Sequence, residues 1–115
     1  MDRALNPERL RLALGESGGL PTPEALRDLL ADAEVSLFQG PHPIDPRLVD
    51  TAWYLHSVGS ALQALDLYGL DRQRAAFQVA GHIFDLALAD PGFEPIDRLR
   101  FTLAAQVASV RGGLN

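Results

Sequence analysis

The sequence predicts an all-α fold: a compact bundle of about five antiparallel helices built on one long helical hairpin. Three observations carry that reading. Between Asp45 and Asp90, apolar residues recur at spacings of three and four with one short interruption, Tyr68-Gly69-Leu70-Asp71, which is the period of helices and not of strands. Thr22-Pro23 and Asp45-Pro46 each pair a side chain able to cap free N–H groups with a proline whose missing donor costs nothing at the first helical position. The proline- and glycine-rich stretches between periodic segments are too short for domain linkers, so residues 1–115 read as a single domain.

In chain order, Asn6-Pro7 opens a short helix to about residue 15, with Leu10, Ala13 and Leu14 as its contacts, and Gly15, Gly18 and Gly19 end it. Thr22-Pro23 opens a second helix to about residue 38. Ala25, Leu26, Leu29, Leu30, Ala33, Leu37 and Phe38 line one side of it, leaving Arg27, Asp28, Asp32 and Glu34 to face water. Residues 39–46 hold three prolines and cannot continue a helix.

The first limb of the hairpin is expected over residues 46–68. Leu48, Ala52, Leu55, Gly59 and Leu62 form one row, and Val58, Ala61, Leu65 and Tyr68 a neighbouring one, so the helix must be covered on more than one side. Gly59 costs about 1 kcal/mol of helix propensity relative to alanine, and a close crossing by a second helix, or a mild kink, is expected there. Gly69 is the expected left-handed terminator of this limb. Asp71 is expected to cap the second limb, residues 72–89, whose stripe is Ala76, Val79, Ala80, Ile83, Phe84 and Ala87. The spacing Ala80-x3-Phe84-x2-Ala87 before Pro91 makes the bundle weakly TPR-like, with the proline one residue early. Any tight helical hairpin alternates small and large residues in the same way. After the turn at residues 90–95, a fifth helix is expected over 96–111. Leu99, Leu103, Val107 and Val110 form one row on it, and Phe101, Ala104, Ala105 and Ala108 a second.

Composition narrows the chemistry. The chain has no cysteine, and all ten basic residues are arginines. Those two absences exclude thiol nucleophiles, thiolate metal sites, a lysine-bearing phosphate loop and Schiff-base chemistry within these residues. The net charge is −5, concentrated in residues 1–45 with four arginines against eight acids, which argues against a nucleic-acid partner through this domain alone. Arg98, Arg100 and Arg111 are the one basic group, on the last helix, and read as a solvated face. No apolar run is long enough to span a bilayer and no signal-peptide core is present, so a cytoplasmic location without membrane contact is expected.

Few residues invite a site. His56 and His82 sit on opposite limbs of the hairpin, and His82 pairs with Asp85 at i,i+3, but helical carboxylate-bridged metal sites need several inward glutamates and residues 46–90 contain none. His42 lies between prolines in a loop. Ser57, Ser60 and Ser109 lack an elbow motif with a paired base, and Trp53 and Tyr54 read as aromatic cover for the hairpin core. No catalytic, cofactor or metal residue is assigned, and no cofactor is expected.

The run FQVAGHIFDLALADPGFEPIDRLRFTLAAQVASVRGGLN, residues 77–115, resembles the N-terminal helical region of large bacterial DEAD/DEAH-box helicases, some of them associated with phage defence. The resemblance implies a structural or regulatory helical region preceding an ATP-driven motor. The family's phosphate loop and acidic box are missing from these residues, so no motor residue carries over, and the chain is expected to be an accessory domain or the N-terminal part of a larger protein.

The last helix is apolar on more than half of its circumference, whereas an edge helix usually hides one stripe. A surface bearing Phe101, Ala105, Ala108 and Leu114 is therefore the expected interface with a protein partner, a following domain or a second copy. The function these readings favour is a non-catalytic helical accessory or interaction domain. The alternatives are a bundle binding a small molecule between its long helices, and a self-associating structural bundle.

Overall fold

A computed structural model describes residues 20–39 and 44–113. Within them the chain forms four α-helices: α1 (Pro23–Gln39), α2 (Pro46–Leu65), α3 (Leu70–Leu88) and α4 (Pro95–Arg111), and no strand. The helix expected over residues 7–15 lies outside the described residues. α3 is central, packing along its length against α2 and α4 and more lightly against α1. The core gathers Leu26, Leu29 and Ala33 from α1, Leu48, Ala52, Leu55 and Leu62 from α2, Ala80, Ile83, Phe84 and Ala87 from α3, and Phe101 and Ala104 from α4.

The helix starts follow the local chemistry. The Thr22 hydroxyl accepts a hydrogen bond from the Ala25 N–H at 3.1 Å, and Asp45 Oδ1 accepts from the Arg47 N–H at 2.9 Å with Pro46 in the first turn. The Arg47 guanidinium closes on the same carboxylate at 3.0 Å, and this hydrogen bonding holds Asp45 below the usual carboxylate range. Asp32, expected to face water, is buried. At 100° per residue it lies on the Leu29 side of α1, the side turned towards the hairpin.

The hairpin turn departs from expectation. α2 stops at Leu65 and not at Tyr68, because Asp66 takes the left-handed conformation, φ 52° and ψ 51°. Its N–H reaches the Gln63 carbonyl, and the Leu67 N–H reaches the Leu62 carbonyl at 2.9 Å, the two bonds of a Schellman termination. Tyr68 is also left-handed, at φ 67°. Gly69 does not end α2. It stands at the start of α3 with φ 86°. Asp71 falls inside the first turn of α3, and no side chain caps that helix. The carbonyls at the end of α2 are met instead from across the turn. The buried Gln73 amide donates to the carbonyls of Leu62 at 3.3 Å and Leu67 at 3.0 Å, and to Asp66 Oδ1 at 3.3 Å.

The close crossing expected at Gly59 is present. A Cβ built there would lie 2.9 Å from the Phe77 ring, which is fully buried. Gly81 does the same for α4, where a Cβ would lie 3.1 Å from Ala108 Cβ. α4 is fastened at both ends. The Gln78 amide donates to the Gly112 carbonyl at 2.7 Å and the Gln63 amide to the Arg111 carbonyl at 3.0 Å. At the other end, the Arg98 guanidinium donates to the carbonyls of Leu88 and Asp90, each at 2.7 Å. Asp90, itself buried, accepts from the Ile44 N–H at 3.0 Å and the Gly92 N–H at 2.8 Å. That contact ties the entry to α2 to the exit from α3.

Candidate functional site: the outer face of α4

The two apolar rows of α4 meet different fates. Phe101 and Ala108 are buried, at 4% and 0% exposure, and Ala105 is partly buried against the core. Phe101 stacks on Phe84, ring centroids 5.7 Å apart, and stands edge-on to Phe93 at 5.0 Å. The surface expected to meet a partner is thus the one α4 gives to its own bundle, and Leu114 lies outside the described residues. A small residue explains the choice: Ala108 lets α4 approach α3 closely at Gly81, which a larger side chain such as Leu103 or Val107 would prevent.

The opposite face of α4 carries the residues left over. Ile96, Leu99, Leu103, Val107 and Val110 are 60, 55, 55, 39 and 63% exposed. Their spacing of three, four, four and three keeps them within about 80° of one another on a helix turning 100° per residue. Arg100, on one flank of this stripe, lies over the Trp53 ring at 5.4 Å from its centroid. The Arg98 guanidinium is turned back onto the end of α3. The Arg111 guanidinium lies over the Phe77 ring at 6.0 Å from its centroid, so all three members of the basic group on this helix are engaged within the bundle.

Behind α4 lies an aromatic cluster. Trp53 stands edge-on to Phe84 at 4.6 Å, and His56 edge-on to Phe77 at 5.3 Å. Burial is the main reason the His56 pKa falls below its usual value, with the Arg111 charge adding to the effect and a hydrogen bond to the Ala104 backbone opposing it. His82 is exposed on α3, His42 lies outside the described residues, and among the described residues no group of three His, Asp or Glu side chains could hold a metal ion. Comparison of the chain with protein-family models, with curated proteins and with solved structures found no match.

The long helices α2 and α3 leave no room at their crossing, where Phe77 fills the place of a Gly59 side chain. An open groove of about 270 Å³ runs along α1, lined by Leu26, Arg27, Leu30, Ala31, Glu34 and Arg72, just below the ~300–1,000 Å³ usual for ligand pockets. Its Arg27 and Glu34 are exposed. No helix among the described residues is long and apolar enough to cross a membrane.

Both apolar rows of α4 follow from the periodicity of residues 96–111. The identity of the surface that α4 meets does not, and Gly81 with its neighbouring Phe84 was the available signal.

Proposed function

We propose that this chain is a non-catalytic protein-interaction module whose contact surface is the outer face of α4. The observation that carries the reading is the alignment of five large apolar side chains, from Ile96 to Val110, on the exposed side of one helix. Scattered surface leucines need no explanation, whereas a contiguous apolar stripe marks an interface. The resemblance of residues 77–115 to helicase N-terminal helical regions suggests the setting, an accessory helical domain working beside a bacterial motor in defence.

Site-specific photo-crosslinking in cells tests this reading. A photoreactive residue at Leu103 should yield a discrete crosslinked product, identified by mass spectrometry, while one at the exposed Asp50 of α2 should not. Equal labelling from both positions, or none from Leu103, would overturn the interaction reading.

A further inference from the structure

The seam between α2 and α4 has a polar centre. α4 packs along α3 and is bridged to α2 by side chains. Trp53 lies beneath the Arg100 guanidinium and 6.3 Å from the Phe101 ring, His56 meets the Ala104 backbone, and the Gln63 amide holds the Arg111 carbonyl. His56 is the member of that set whose charge changes near neutral pH. Its ring stands among those of Trp53, Phe77 and Phe84, with centroids 6.2, 5.3 and 6.4 Å away. Nε2 is buried there without a hydrogen-bond partner, so the bond to the Ala104 backbone belongs to Nδ1. With Nδ1–H donating, Nε2 carries the lone pair of the neutral ring and is the atom that takes up a proton.

A proton at Nε2 meets no acceptor, and a buried charged N–H left unpaired is costlier than a neutral one. Ring faces attract cations, but the neighbouring rings already have partners: Arg100 over Trp53, Arg111 over Phe77 at 6.0 Å, and Phe101 stacked on Phe84. α4 therefore turns two cations towards the cluster, and α3 contributes apolar rings. Asp50 of α2 and Asp85 of α3 are exposed, and Asp97 lies about two turns of α4 away from Ala104. Arg111 is the charge that acts on the ring, and it repels the imidazolium.

We propose that protonation of His56 at Nε2 expels its ring from the aromatic cluster and opens the seam between α2 and α4, with α4 still held by α3. The close approach of Gly81 to Ala108 and the bond from Gln78 to the Gly112 carbonyl join α3 to α4 without His56. Burial, and after it the Arg111 charge, hold the folded-state pKa of His56 below 6.5, whereas an opened or unfolded chain takes up the proton near that value. The closed seam is thus fully favoured above pH 6.5, and that advantage is lost as pH falls through the lower folded-state value. Opening does not depend on what meets the outer face of α4, which carries none of these residues.

Trp53 is the sole tryptophan of the chain and lies in the seam, so its accessibility reports on opening. Lifetime-resolved acrylamide quenching of the full chain should rise as pH is lowered, with a midpoint below 6.5, while far-UV circular dichroism stays unchanged. The His56 Cε1–H resonance should titrate with the same midpoint. His56→Phe, whose ring suits the cluster, should keep the weakly quenched state at every pH. His82→Gln, changed at an exposed histidine, should behave as the unmodified chain does. Quenching that ignores pH, a His56 resonance that titrates at or above 6.5, or a transition that persists in His56→Phe overturns the proposal. Loss of circular dichroism in step with the quenching also overturns it, because the whole bundle would then be unfolding. Should His56→Phe fail to fold, the resonance and the quenching of the unmodified chain decide alone.

Discussion

Tyr54 shows what a single polar atom does in this bundle. Its hydroxyl is buried without a hydrogen-bond partner, and burial pushes its pKa up to about 12. An unfolded chain releases that proton near pH 10, so between roughly pH 10 and 12 the folded state holds more protons than the unfolded one. Stability from this group is complete below pH 10 and falls as pH rises through 12. Tyr54→Phe should remove the difference and gain up to about 1 kcal/mol at neutral pH, because an unmet buried hydroxyl is costly. Urea midpoints at pH 7 and above pH 10 test both parts, and a loss of stability at pH 7 would show that the hydroxyl has a partner in solution. Tyr68 is the opposite case. Its left-handed backbone costs about 1–2 kcal/mol, and its hydroxyl donates to the Pro21 carbonyl at 2.7 Å, holding the approach to α1.

At the scale of elements, the α2–α3 crossing depends on one missing side chain. Gly59→Ala would gain about 1 kcal/mol of helix propensity but force a methyl group to within 2.9 Å of a Phe77 ring that has no room to move. Overpacking costs about 1–3 kcal/mol, so the variant should be net destabilised by up to about 2 kcal/mol, read as a lower denaturant midpoint with an unchanged slope. This crossing was legible in the sequence, as were the caps at Thr22 and Asp45 and the end of the last helix at Arg111. Those signals are local, or lie on one helix face. The turn was not legible, because its conformation is held by Gln73 reaching back to a carbonyl of α2 and one of the turn itself, and nothing near Gln73 in the chain announces that. The candidate surface was half legible. Both apolar rows of α4 followed from periodicity, and which row turned inward depended on Gly81 of α3.

For the whole molecule, the contact between Ile44 and Asp90 does what the turn does at the other end, holding α2 and α3 side by side. Both carboxylate oxygens of Asp90 accept backbone N–H groups, and bonds of this charge-assisted kind contribute about 1.5–3 kcal/mol. Asp90→Ala should therefore lower stability by about 2–3 kcal/mol, while Asp90→Asn, which keeps one acceptor oxygen, should lose less. Thermal melts of the two variants give the order, and equal losses would mean that the negative charge alone carries the effect.

The position of that contact also bears on the order of events in folding. Ile44 and Asp90 stand 46 residues apart, so the bond cannot close until α2 and α3 have already docked, after the loop-closure entropy has been met by other contacts. If the bond closes this late, Asp90→Ala should speed unfolding and leave the folding rate unchanged, which stopped-flow folding and unfolding rates of the variant check. On that outcome the Asp90 carboxylate is a kinetic latch, one that leaves the speed of assembly alone and lengthens the time the assembled bundle lasts.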